Sequence, residues 1–261
     1  MFQTVLFVLL SFSPALSSSA PARAAAIQDP VVDKRPEVAA LITKLDGHVE
    51  KKGAEDREGV AVIDSLTQEF GKSGPKDKAS IVKALSKCFE ARRLEPQDGV
   101  PNNQLYIGAA TALGAMAPES TKTLVSWVNA KTLRKDLAVQ SALLRSLGKT
   151  KDKEAIKTLV DMLENKESAL ISAAAQALGE FAGAELEVRR NIFESLLKVL
   201  MASKGARDQD LNDSTAREKY DVISAPIITS LGRLSKHDER DPDKWQYWWN
   251  KNKKANWDEE K

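Results

Sequence analysis

The chain has 261 residues and a formal net charge of +2, a length that suits one large domain or a short repeat array. Hydrophobic residues make up 42% and charged residues 29%, the balance of an ordinary globular protein rather than a disordered one. The near-even charge argues against nucleic acid as the main ligand, because phosphate binding needs a concentrated cationic surface.

The first residues differ from the rest. Thr4 to Leu16 is an uncharged apolar run interrupted by Pro14, too short to span a hydrocarbon core comfortably. A Ser/Ala segment follows, ending in Ala22-Arg23-Ala24 and Ala25-Ala26. An apolar run leading into small residues of A-x-A type predicts a signal peptide over residues 1–26, and so an exported protein, periplasmic or secreted. The competing reading is a retained anchor, since only the terminal amine supplies positive charge ahead of the run. Cys88 is the sole cysteine, so no internal disulfide can brace an exported core. It stands beside Phe89 in a helical apolar pattern, which marks it as a packing residue.

From Pro36 onward the apolar spacing is helical and no alternating strand pattern occurs. A first helix from Pro36, with Val38, Leu41, Ile42 and Leu45, reads as an N-terminal cap within a 27–55 segment. A recurring pattern follows, with two apolar or small residues four and three positions before an anchoring Leu, often with Gly after it. It reads Val62-Ile63…Leu66, Ala109-Ala110…Leu113-Gly114, Leu143-Leu144…Leu147-Gly148, Ala174-Ala175…Leu178-Gly179 and Ile227-Ile228…Leu231-Gly232. The small residues predict close helix contacts, and glycine after Leu predicts a left-handed helix close.

A second helix is predicted after each anchor. Pro75 opens one bearing Ile81, Val82, Leu85 and Phe89, and Pro118 is placed in the first turn of the next, before Leu124, Val125 and Val128. Asp152 is the expected N-cap of a third, with Ile156, Leu159, Val160 and Leu163 inward. Ile192, Phe193, Leu196, Leu197 and Leu200 mark a fourth. Arg93 to Asn103 and Lys204 to Thr215 carry polar, Pro/Gly/Asn/Asp punctuation and are predicted loops. One hairpin cannot bury its own apolar stripe, but stacked hairpins bury a continuous core.

Thr111-Ala112-Leu113-Gly114 and Gln176-Ala177-Leu178-Gly179, each followed by an apolar helix, resemble HEAT and HEAT-like (armadillo-type) repeats across roughly residues 56–235. The resemblance implies an all-α, right-handed α-α superhelix of about five hairpins that serves as a scaffold. It also implies that second helices line the concave side, where Lys122, Asn129, Lys157, Asp161, Arg189 and Lys198 become candidate contacts for a protein partner. The 236–261 segment, with Trp245-Gln246-Tyr247-Trp248-Trp249-Asn250, resembles tails that follow HEAT repeats in secreted bacterial proteins of planctomycete type. HEAT-like repeats also occur in phycobilin lyases and in one DNA glycosylase class, which keeps an enzyme or accessory subunit as an alternative.

Little chemistry is visible in the sequence. His48 and His237 are the two histidines, both at expected loop or helix-end positions. Asp208-x-Asp210-x-Asn212-Asp213 imitates the start of a calcium loop, but Asp213 stands where the sharp-turn Gly belongs and Lys219 where the bidentate Glu belongs. An acidic loop ending in an N-cap is the simpler reading. Paired carboxylates acting on a glycoside leave no local motif and stay open. Trp245, Trp248 and Trp249 share one helix face. They are expected either to cap the solenoid by docking on Tyr220, Ile223, Ile227 and Ile228, or to form a platform for a glycan, a peptide or a membrane interface, as an envelope- or carbohydrate-binding module would. Trp257, beyond Lys253-Lys254, is expected to stay outside that packing. The reading that results is a non-catalytic, monomeric, protein-binding scaffold with no cofactor, no metal and no membrane span once the signal peptide is removed.

Overall fold

The computed structural model describes residues 32–91, 93, 102–210 and 212–259; the predicted signal peptide and most of the 93–103 loop lie outside them. Eleven α-helices follow in order: α1 (Pro36–Glu50), α2 (Asp56–Phe70), α3 (Pro75–Lys87), α4 (Gln104–Gly114), α5 (Thr121–Val128), α6 (Leu137–Lys149), α7 (Lys153–Asp161), α8 (Ser168–Leu178), α9 (Leu186–Gln209), α10 (Ser214–Ser235) and α11 (Pro242–Asn252). Among the described residues there is no strand, only an isolated bridge between Val32 and Ser73. None of the described helices is long and apolar enough to cross a membrane.

The helices form an all-α stack that starts with the pairs α2/α3, α4/α5 and α6/α7, with α1 against the first pair, and ends with α9 packed on α10 and α11 on α9. First helices α2, α4, α6, α8 and α10 touch in sequence, and α5, α7 and α9 run behind them as a second layer. Leu66, Leu113, Leu147, Leu178 and Leu231 are all fully buried, each anchoring one first helix in the shared core. The alanines ahead of the anchors, Ala109, Ala110, Ala174 and Ala175, are equally buried.

The glycines after the anchors do not end helices in a left-handed turn. Gly114 and Gly148 lie inside helical runs and Gly179 has right-handed φ. Their use is proximity. A Cβ on Gly114 would sit 3.0 Å from the Cα, Cβ and carbonyl oxygen of Ser146. On Gly148 it would meet the same atoms of Ala177 at 2.6 Å, and on Gly179 the Ser230 hydroxyl at 2.6 Å. Ser146, Ala177 and Ser230 each directly precede the next anchoring Leu. A small-Leu-Gly triplet therefore seats its glycine against the small residue of the next triplet.

Capping follows residue chemistry. Asp136, Asp152, Asp213 and Asp241 each accept a backbone N–H at the start of their helices, which satisfies donors that a helix leaves unpaired. Helix α3 begins after Gly74, which has no capping side chain, and Asp33 supplies one by accepting the Lys76 and Asp77 amides at 2.9 and 3.2 Å. Asp77 returns the contact, accepting the Lys34 and Arg35 amides at 3.0 and 2.9 Å where α1 starts. This exchange pins the chain just before α1 onto the first hairpin.

Two expectations change. The predicted 204–215 loop is helical through Gln209, because Lys204 pairs with Asp208 at 3.0 Å one turn on and Arg207 lies 4.0 Å from the centre of the Tyr220 ring. Polar punctuation there marks a solvated helix end. Pro118 lies in the turn before α5, which starts at Thr121, and Ser120 closes that turn by donating its hydroxyl to the Leu113 carbonyl at 2.6 Å.

The glycine contacts set a testable contrast. Gly148→Val is expected to cost about 1–3 kcal/mol through overpacking against Ala177 backbone, lowering Tm by several degrees. Gly205→Ala, in α9 with nothing within 4 Å, should raise stability by about 0.5–1 kcal/mol. Equal effects in thermal melts would show that the glycine contacts do not set helix spacing.

Candidate functional site

Groups that could act in catalysis are engaged in structure. His48 Nδ1 lies 2.8 Å from Glu55 Oε2. The His237 ring stacks on Trp248 at 5.3 Å and meets Trp245 edge-on. Cys88 is fully buried, and burial pushes its thiol up to about 12, so it stays protonated and non-nucleophilic at neutral pH. In the calcium-like stretch, hydrogen bonds from Lys204 and Arg207 hold Asp208 below the usual carboxylate range. Asp210 accepts the Asn212 amide, while Asp213 caps α10. No cluster of three or more metal-ligating side chains occurs among the described residues.

The tryptophans of the tail face inward. Trp245 is 0% exposed and Trp249 9%. Their target differs from the expected α10 face, because the rings gather around Phe193 of α9, with centroids at 5.7 Å for Trp245, 5.4 Å for Trp248 and 5.1 Å for Trp249. Trp257 joins them at 5.4 Å, contrary to expectation, and donates its Nε1–H to the Asn252 carbonyl at 2.9 Å. The turn after α11 folds the chain back past Lys253-Lys254 and brings the ring in. A flat aromatic platform is not formed, and Tyr247 is the exposed ring of this helix.

The six candidate contacts separate. Lys122 on α5, Asn129 at its end, Lys157 and Asp161 on α7, and Lys198 on α9 are exposed. Lys157 and Asp161 pair with each other at 2.7 Å. Arg189 corrects the expectation, being 1% exposed. It donates to the Leu234 carbonyl at 2.9 Å and pairs with Asp258, so it ties α9 and α10 to the tail. Its place was readable, since position 189 falls on the stripe of Ile192, Phe193 and Leu196.

The more developed surface lies on the first helices. A cavity of about 470 Å³ opens between α6, α8 and α10, lined among others by Arg145, Lys149, Gln176, Glu180, Pro226, Thr229 and Arg233. A second opening of about 680 Å³ shares Ala225, Thr229 and Arg233 and runs on past Ile228, Lys236 and Arg240. The triplets shape this groove by drawing the three helices together with only small side chains between them. Arg233 pairs with Glu180 at 2.9 Å. Arg145 and Lys149 have no ion-pair partner among the described residues, leaving the first cavity with more cationic than anionic groups. Their signal in the sequence is a pair of cations one helical turn apart on a first helix, facing away from the anchors. The expectation that second helices carry the concave contact surface is not what these cavities indicate.

Matches to the family model for HEAT repeats cover residues 99–179 and 130–209, a shorter span than the resemblance over residues 56–235. The matches take in α4 to α9, and the helices at either end fall outside them. No curated protein matches the chain.

The tail supplies a pH test. Hydrogen bonding from Lys236, reinforced by Arg189, holds the Asp258 carboxyl below the usual Asp range. A depressed carboxylate pKa contributes stability above its unfolded value, lost as pH falls through the folded one. Asp258→Asn should therefore lower Tm at neutral pH by roughly several degrees, with the gap to the parent chain closing in acid. A gap constant with pH would exclude Asp258 as the ionic tie.

Proposed function

We propose that this HEAT-repeat chain is an exported, non-catalytic scaffold that holds a protein partner in the groove between α6, α8 and α10. The observation that carries the reading is a preformed groove whose Arg145 and Lys149 lack carboxylate partners among the described residues, in a chain whose histidines and cysteine are committed to packing and pairing. Unpaired cations in a concave surface attract carboxylates and speed encounter with an acidic partner. The groove therefore fits a protein segment rich in Asp and Glu. HEAT repeats usually mediate protein contacts, which agrees with this use.

Export rests on the 1–26 segment, and the secreted bacterial type with a Trp-rich tail rests on residues 245–250. Burial of Trp245 and Trp249 favours a cap over a ligand platform, which ranks envelope or carbohydrate binding by the tail below protein binding. An enzyme subunit ranks lower still, for want of an assembled catalytic set among the described residues.

The test is capture from an envelope fraction by the chain lacking residues 1–26, against an Arg145→Glu/Lys149→Glu variant. The expected result is one or more proteins retained by the parent and bound about tenfold or more weakly by the variant, with both melting alike. Retention unaffected by charge reversal, or a steep turnover of a retained molecule, would overturn the proposal.

A further inference from the structure

Helix α11 uses one side for the cap and leaves the other free. Trp245 and Trp249 are buried against Phe193. The side turned away from them carries Lys244, Tyr247 and Lys251, spaced three and four residues apart so that they form one stripe. Lys253, the C-cap, keeps right-handed helical φ and ψ, which carries the turn on to Lys254 in line with that stripe. The three lysines and the tyrosine of the stripe are all exposed, Tyr247 to 61%. The Lys251 ammonium stands 4.3 Å from the centre of the Tyr247 ring.

The charge on this face is uncompensated. No Asp or Glu occurs between Lys244 and Trp257, and Lys244, Lys251, Lys253 and Lys254 form no ion pair among the described residues. The carboxylates nearest them in sequence are engaged elsewhere. Asp241 caps α11 and Asp243 pairs with Lys204 of α9 at 3.2 Å. Asp258 is held by Arg189 and Lys236. Four unpaired ammonium groups thus surround one exposed aromatic ring, in a chain whose formal net charge is only +2.

We propose that the outer face of α11 docks the chain on an anionic phospholipid bilayer, with its lysines among the headgroup phosphates and the Tyr247 ring at the edge of the acyl chains. Lysine is a flexible point charge, suited to a diffuse layer of phosphates, whereas bidentate capture of a single carboxylate is the geometry of arginine. Each lysine near such a surface strengthens binding roughly fivefold. A tyrosine, apolar in its ring and polar at its hydroxyl, fits the boundary between headgroups and hydrocarbon. The face is the outside of a single helix rather than a groove, which favours a broad anionic surface over one acidic segment. Docking there leaves the tryptophans in the cap and the groove between α6, α8 and α10 free for its own partner.

The test is co-sedimentation with phosphatidylcholine vesicles that contain or lack phosphatidylglycerol. It uses the chain without residues 1–26, so that the apolar run over residues 4–16 cannot itself enter the bilayer. The expected result is partition that requires phosphatidylglycerol and weakens as salt is added. Lys244→Gln/Lys251→Gln/Lys254→Gln should weaken it about a hundredfold while melting like the parent. Tyr247→Ala should weaken it severalfold with the salt dependence unchanged. Arg145→Glu/Lys149→Glu should partition as the parent does, which separates this face from the groove. Equal partition with and without phosphatidylglycerol, a triple variant that sediments like the parent, or loss of partition in the groove variant would each overturn the proposal. So would binding to polyglutamate as tight as binding to the vesicles, which would assign the face to an acidic protein instead.

Discussion

The contact on which the stack depends is the seat of one helix's glycine against the next helix's small residue. Leucine burial alone gives helices a reason to associate but leaves their spacing loose. At Gly148 the Ala177 backbone already stands where a Cβ would go, so the spacing of α6 and α8 is fixed by the absence of one carbon. The same contact at Gly114 and Gly179 repeats that spacing along the array. Close-packed interiors respond to volume changes of this size, which makes these glycines stricter than the leucines beside them.

The spacing decides what the two faces can offer. First helices drawn close by small residues leave a shallow surface in which Ala177, Ala225, Thr229 and Ser230 lie between the long side chains of Arg145, Lys149 and Arg233. Arg145 and Lys149 stand in the last turns of α6, where a cation also complements the helix dipole. That local benefit explains why cations are tolerated there without carboxylate partners. It does not require two of them to border the same cavity, and this is what gives the groove its sign.

An array built from mutual contact must treat its ends differently. At the start, Asp33 and Asp77 exchange caps so that the chain before α1 closes onto α3. At the finish, Phe193 would face water without the four tryptophans that gather on it. Asp258 then adds a charge opposite the buried Arg189, which would otherwise be costly to hold away from solvent. These solutions differ because the first end has orphaned helix amides and the last has an uncovered aromatic face.

Much of the fold was legible, because leucine periodicity reports burial directly, and α1, α3 and the cap Asp152 fall where residue type places them. The groove was not, since a cation on a first helix reads as solvated until the neighbouring helices are in place. Arg189 and Gln140 show where the reading could have gone further. Both are polar residues set on a leucine or phenylalanine stripe, so helical register alone turns both inward. Sequence cannot separate them beyond that point, because what differs is supplied by distant elements. The Leu234 carbonyl and Asp258 reach Arg189, whereas the buried Gln140 Nε2 meets no hydrogen-bond partner among the described residues. In a repeat stack the cores of neighbouring units close by necessity, but their turns need not.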